Sequence, residues 1–287
     1  MQPTAHALSI CVLLVPRIVA HKWPTHALRL TQALCQKGTA LIPDQEFANP
    51  RLAEIYDYLD SDRSDLDHYV TLIENLNVNS VLDIGCGTGS LLCLLAGRGL
   101  KLCGVDPAAA SLAVSRRKAG SEKIEWVLAD AESLPEMGAD VALMTGNVAQ
   151  VFLEDRGWLS ALSSIRRAIS PTGYLIFESR DPTQRAWEGW NRTATLTRTL
   201  VPKVGFVTSW VELIEVKLPM VTFRWSYKFE KDNSFLTSES TLCFRSQSEL
   251  ELSLVQSGYR VVEVRDAPDR PGKEFVFIAK VVNEEST

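Results

Sequence analysis

From residue 50 onward, apolar positions recur first with helical spacing and then in an alternation of strand-like and helix-like segments. Residues 50–59 place Leu52, Ile55, Tyr56 and Leu59 on one helical face. Leu66, Tyr69, Val70 and Ile73 repeat the pattern after the break at Asp60-Ser61-Asp62. Asp60, Asp62 and Ser64 have the spacing of a calcium loop. Asp65 and Thr71 stand where such a loop needs Gly and Glu, so the segment reads as a solvated turn and helix start. Runs at 80–84, 100–105, 124–128, 140–144 and 174–178 then read as strands. Helices at 90–96, 108–118 and 155–169 lie between them, the last with Trp158, Leu162, Ile165 and Ile169 on its buried stripe. Strands alternating with helices predict a doubly wound α/β fold, a mostly parallel sheet covered on both faces. Right-handed crossovers place the ligand crevice at the carboxyl ends of its strands.

The alternation stops after Glu178. Residues 181–198 are polar with interleaved tryptophans, and three segments of period-2 alternation follow at 206–216, 221–229 and 235–244. This predicts an antiparallel β insertion after the fifth strand. Ser246 and Glu249 form a capping box that opens a helix ending at Gly258, and 259–265 and 275–281 complete a seven-stranded sheet. The domain organisation expected is a poorly ordered extension over 1–44, a domain over 45–281 with 181–245 as an inserted meander or lid, and a tail over 282–287.

Composition adds exclusions. The chain has 287 residues, 46% hydrophobic and 23% charged, enough to bury a core without staples. A net charge of −5 argues against a nucleic-acid partner. The apolar run at 8–15 is too short to cross a bilayer and no Lys or Arg precedes it, so neither a membrane partner nor secretion is expected. None of the six cysteines forms a CxxC pair and only four histidines could join them, so no metal site is expected. Reduced thiols in a cytoplasmic protein fit better.

The chemistry concentrates in VLDIGCGTGS, residues 81–90. Its glycines allow a tight turn and let a ligand lie on the main chain, and the next helix presents free N–H groups. Asp83 just ahead of them repels a phosphate and attracts an ammonium or sulfonium group. Asp106 ends the second strand, where an acid accepts both hydroxyls of a ribose. Asp130 ends the third, where it can accept from an adenine amine while the Ala131 N–H meets a ring nitrogen. A cationic amino acid, a ribose and an adenine describe S-adenosylmethionine. A dinucleotide loop would read G-x-G-x-x-G, whereas this one reads G-x-G-x-G.

VLDIGCGTG (81–89), GVDPAAASLAVSRRK (104–118), WVLADAESLP (126–135) and ADVALMTGNVAQVF (139–152) together resemble the class I S-adenosylmethionine-dependent methyltransferases of small-molecule type. The resemblance spans about 47–281. It implies that Asp83, Gly85, Cys86, Gly87 and Gly89 hold the methionine part of the cofactor. Asp106, with Pro107 beside it, would hold the ribose, and Asp130 with Ala131 the adenine. Thr145, Gly146 and Asn147 would line the methionine end, and Tyr56 would close over it. The expected reaction is in-line methyl transfer to a small-molecule nitrogen or oxygen, in which alignment supplies much of the rate.

Asn147, Glu178 and Arg180, with Asp181, are the catalytic or anchoring candidates. His68 is expected on the surface. The proline–proline–aromatic platform of nucleic-acid amino methyltransferases is missing after Asn147. Trp187, Trp190, Trp210, Trp225 and Tyr227 could wall a small acceptor, and the plainer reading for most of them is packing of the meander onto the core; the insertion is a candidate homodimer surface. Two alternatives stand beside this reading. One is a non-catalytic S-adenosylmethionine-binding regulatory protein, marked by a filled acceptor cavity. The other is a protein methyltransferase, marked by an open groove.

Overall fold

The computed structural model describes residues 42–134 and 136–282. The expectations for residues 1–41 and 283–287 lie outside the described residues. A short helix α1 (Gln45–Ala48) leads into α2 (Pro50–Leu59) and α3 (Asp67–Leu76). Asn49 starts α2 by accepting from the Arg51 N–H at 2.9 Å, with Pro50 in the first turn where no N–H is needed. Between α2 and α3, Asp62 accepts from the Ser64 N–H in a turn that becomes a 3₁₀ segment.

The central sheet has the order β10-β11-β5-β4-β1-β2-β3. Strands β1 (Ser80–Ile84), β2 (Lys101–Asp106), β3 (Ile124–Leu128), β4 (Ala139–Met144) and β5 (Ile169–Arg180) run parallel. Strand β11 (Glu274–Val281) lies antiparallel between β5 and β10 (Tyr259–Asp266). Every residue of β1 is buried, as expected of a central parallel strand covered on both faces. The covering helices include α4 (Ser90–Leu95), α5 (Ala109–Ser115) and α6 (Asp155–Ala168). Chain order reverses between β1 and β4, which opens a crevice at their carboxyl ends. Strand β5 is longer than its apolar run suggests, because it begins at Ile169 and passes an irregularity beside β4.

The insertion holds four strands where the alternation gave three. A short helix α7 (Arg192–Thr195) precedes β6 (Thr197–Val201), followed by β7 (Gly205–Lys217), β8 (Met220–Phe229) and β9 (Ser234–Cys243), in the order β6-β7-β8-β9. One face packs on α2, where Leu52 and Ile55 meet Val201, Val207, Tyr227 and Phe229. Helix α8 (Gln247–Gln256) then starts at the Ser246–Glu249 capping box.

Candidate active site

The glycine loop follows β1. Gly85 lies at φ +69°, and a Cβ there would sit 2.5 Å from a Val148 methyl, so only glycine fits. Gly87, at φ +53°, has open space on its Cβ side, and its N–H donates to Asp106 Oδ2 at 2.8 Å. Gly89 serves packing: a Cβ there would meet the Trp126 ring at 2.3 Å and Ser115 at 2.9 Å. The Cys86 sulfur turns toward Gly104, beneath the loop.

A cavity of about 370 Å³ opens at the strand ends. Gly85, Gly87, Asp106, Pro107, Asp130, Ala131 and Gly146 line it, so seven of the residues singled out in the sequence converge there. Asp106 Oδ1 accepts from the Ala108 N–H at 2.7 Å, and both its oxygens keep further acceptor capacity. Burial raises its carboxyl above the usual range, against the lowering effect of these two N–H bonds. Asp130 is fixed by the Glu132 N–H at 3.0 Å. Asp83 lies behind the loop, 1% exposed, and its Oδ1 has no hydrogen-bond partner. Burial, reinforced by Asp106, pushes this carboxyl up to about 8. A buried acceptor without a donor beside an open glycine cradle fits a ligand ammonium.

Tyr56 does not line the cavity. It packs against Phe47, which does, with ring centroids 5.6 Å apart. Asp83, Cys86, Gly89, Thr145 and Asn147 are likewise not among the lining residues. Ile42, Pro43 and Asp44, expected within the poorly ordered extension, do line it.

Asn147 and Glu178 meet in a buried polar cluster at the ends of β4, β5 and β11. Asn147 is 2% exposed and left-handed at φ 62°. Its backbone N–H donates to Glu178 Oε1 at 3.0 Å, and its side-chain nitrogen donates to Glu178 and to Glu274 at 3.4 Å each. The Tyr69 hydroxyl donates to the other Glu178 oxygen. Burial raises the Glu178 carboxyl, and Glu274 raises it further. Arg180 donates to Gln150 at 3.1 Å and pairs with Glu274 at 3.4 Å, while Arg270 pairs with Glu274 at 2.7 Å. Tyr69 and Glu274 were not singled out in the sequence, since both read as ordinary members of a helix and a strand. Asp181 caps the 3₁₀ segment after β5 by accepting from the Thr183 N–H at 2.8 Å. His68 is half-buried against Tyr69, which corrects the expectation of a surface residue, and burial lowers its pKa.

Of the two readings of the aromatic rings, the packing one holds. Trp187 packs on Phe244 and Trp190 on Phe223, with centroids 4.8 and 4.6 Å apart. None of the five rings lines the main cavity; the inserted sheet reaches it through Thr222, Glu239 and Thr241. Trp187 and Trp190 border a separate, more open cavity of about 300 Å³ with Glu212 and Arg192. Among the described residues no group of His, Cys, Asp or Glu could hold a metal ion, and no helix is long and apolar enough to cross a membrane.

Residues 81–173 match the family described as a methyltransferase domain. The matched segment runs from the first strand into β5 and carries the glycine loop, Asp106 and Asp130. The chain is 30% identical over 110 residues to the cypemycin N-terminal methyltransferase of a Streptomyces species, covering 38% of this chain and 45% of that protein. It is 30% identical over 117 residues to the malonyl-[acyl-carrier protein] O-methyltransferase of Hahella chejuensis, covering 38% and 41%. The chain thus spans about half the length of the curated relatives it matches. The sugar N-methyltransferase KedS8 of a Streptoalloteichus species shares the fold, with a TM-score of 0.66 at 16% identity over 87% of this chain and 99% of that one. The likeness in fold to KedS8 thus covers more of the chain than the matched segment does.

Proposed function

We propose that this chain transfers a methyl group from S-adenosylmethionine to a nitrogen or oxygen of a small molecule. The observation that carries the reading is the continuous cavity. It begins at the glycine cradle with Asp106 and Asp130, and continues past Val148 and Val151 to the inserted sheet. Its open extension toward Thr222, Glu239 and Thr241 supports an enzyme over a filled binding protein, and its size supports a small acceptor over a polypeptide in a groove. The named activities of the relatives, N-terminal, O- and sugar N-methylation, agree with a nitrogen or oxygen acceptor. Cys86, Cys93, Cys103 and Cys243 are free thiols, in keeping with a cytoplasmic setting.

In this reading Asp83 faces the ammonium of the methionine part, Asp106 the ribose hydroxyls, and Asp130 with Ala131 the adenine. S-adenosylmethionine supplies a methyl already activated on sulfonium, so the chain's own task is to align the acceptor and exclude water. Calorimetric titration tests this. Micromolar binding of S-adenosylmethionine and none of NAD is expected. Asp106→Ala should weaken the first by about 1–3 kcal/mol, the worth of hydrogen bonds to a charged acceptor. Unchanged affinity in that variant would remove Asp106 from the ribose site.

A further inference from the structure

The side of the main cavity formed by the inserted sheet carries a charge of its own. Asp44, just ahead of α1, lines it together with Thr222, Glu239 and Thr241. With Asp106 and Asp130, four carboxylates surround the cavity, and among the described residues no Lys, Arg or His lines it. Under the function proposed above, on which this inference rests, Asp106 and Asp130 serve the cofactor. Asp44 and Glu239 are left for the acceptor molecule.

The two differ in whether their charge is already paired. Glu239 faces Arg224 across the β8–β9 ladder and accepts from its Nε at 2.9 Å, so that pair is neutral. Asp44 stands at the N-cap of α1, where an Asp usually accepts from the first N–H groups of the helix. Here its backbone oxygen takes the Phe47 and Ala48 N–H groups, at 3.0 and 2.9 Å, and its side chain caps nothing. Burial raises the Asp44 carboxyl and the Ser240 hydroxyl lowers it in part; among the described residues no cation contributes. The segment is held on both sides. On the inserted sheet, the Glu46 N–H donates to Ser238 Oγ at 2.8 Å, and the Tyr227 hydroxyl donates to Glu46 Oε1 at 2.7 Å. From α5, Ser111 Oγ donates to the Phe47 carbonyl at 3.0 Å. Asp44 is thus a preformed, half-buried carboxylate on a cavity wall whose neighbours in the chain, Ile42, Pro43 and Phe47, are apolar. Such a group is costly until a counter-charge arrives.

We propose that Asp44 selects the acceptor by charge, and that the acceptor is a small molecule with a protonated amine on an apolar body. The ammonium pairs with Asp44, and the body lies against the apolar lining supplied by Phe47, Val151 and Leu153. A phosphate or carboxylate in the same place would meet an unpaired acid and is rejected.

Benzylamine, benzyl alcohol and benzoate share one ring and differ in charge, so they test this without knowledge of the natural acceptor. Each is titrated, with NMR detection, into the full chain saturated with S-adenosylhomocysteine. Benzylamine should bind with a Kd on the order of millimolar and at least about tenfold more tightly than benzoate. Asp44→Asn keeps the side-chain shape and suits the N-cap. It should bring benzylamine to within about twofold of benzyl alcohol while S-adenosylhomocysteine affinity changes by less than about twofold. Benzoate binding as tightly as benzylamine, no benzylamine binding up to about 20 mM, or a preference that survives Asp44→Asn would overturn the role of Asp44. Equal losses of benzylamine and S-adenosylhomocysteine would also overturn it, by placing Asp44 at the cofactor. A wild-type chain that does not bind S-adenosylhomocysteine would instead overturn the cofactor reading beneath it.

Discussion

At the scale of single residues, Asp83 joins a structural strain to a binding preference. An Asp in an unfolded chain titrates near 3.8, whereas the buried Asp83 carboxyl is pushed up to about 8. Folding therefore favours its protonated form. The stabilisation from that proton is fully present below about pH 4 and is lost as pH rises through about 8. A ligand ammonium reverses the preference by pairing with the ionised form. Cofactor affinity should thus climb between about pH 6 and 8, and binding at about pH 7 should release close to one proton. Titrations in two buffers of different ionisation heat measure that release; equal heats in both would show that Asp83 is not the partner. Asp83→Asn should abolish the proton release, weaken binding at least about tenfold, and flatten this part of the stability profile.

At the scale of elements, α2 is fastened to the glycine loop by one side chain. Asp57 accepts from Thr88 Oγ at 2.6 Å and Ser90 Oγ at 3.3 Å, and its other oxygen pairs with Lys118 at 2.6 Å. Asp57→Ala should lower unfolding stability by about 1–2 kcal/mol in urea, since it unpairs the part-buried Thr88 hydroxyl and leaves the Lys118 ammonium with only the Ser90 hydroxyl. Weaker binding of S-adenosylhomocysteine should accompany this; an unchanged midpoint would show that the contacts carry no weight. Asp57 was not legible in the sequence, because its partners lie dozens of residues away. Nor was β6, whose edge position leaves Thr197, Arg198 and Leu200 exposed and erases the alternation that marks a half-buried strand. The parallel strands were legible because burial on both faces writes continuous apolar runs. Asp106 and Asp130 were legible because a strand end followed by an acid has a fixed place in this topology. The tryptophans stayed ambiguous because periodicity shows that a ring is buried, and leaves open whether it faces a ligand or a neighbouring element.

At the scale of the whole molecule, the cradle draws on segments far apart in the chain, so a ligand that binds it should stabilise the folded state as a unit. S-adenosylhomocysteine at about 100 times its dissociation constant should add about 2.7 kcal/mol. For a domain of this size that corresponds to a rise of about 5–10 °C in Tm. A scan that shows no rise at saturating ligand would mean that the bound and free states do not differ in stability.

Strand β11 runs against its neighbours, so its first residue lies beside the last of β5: Glu274 pairs in register with Arg180. The ribosome therefore makes the glycine loop early and the second carboxylate beside the Asn147 amide near the end of synthesis. A chain interrupted after α8 would hold the glycine loop, Asp83, Asp106 and Asp130, yet leave Arg180 and the Asn147 amide without Glu274. The glycine loop would then be made before the carboxylate that completes the buried polar cluster, and nascent chains would pass through a stage with the loop present and the cluster unfinished.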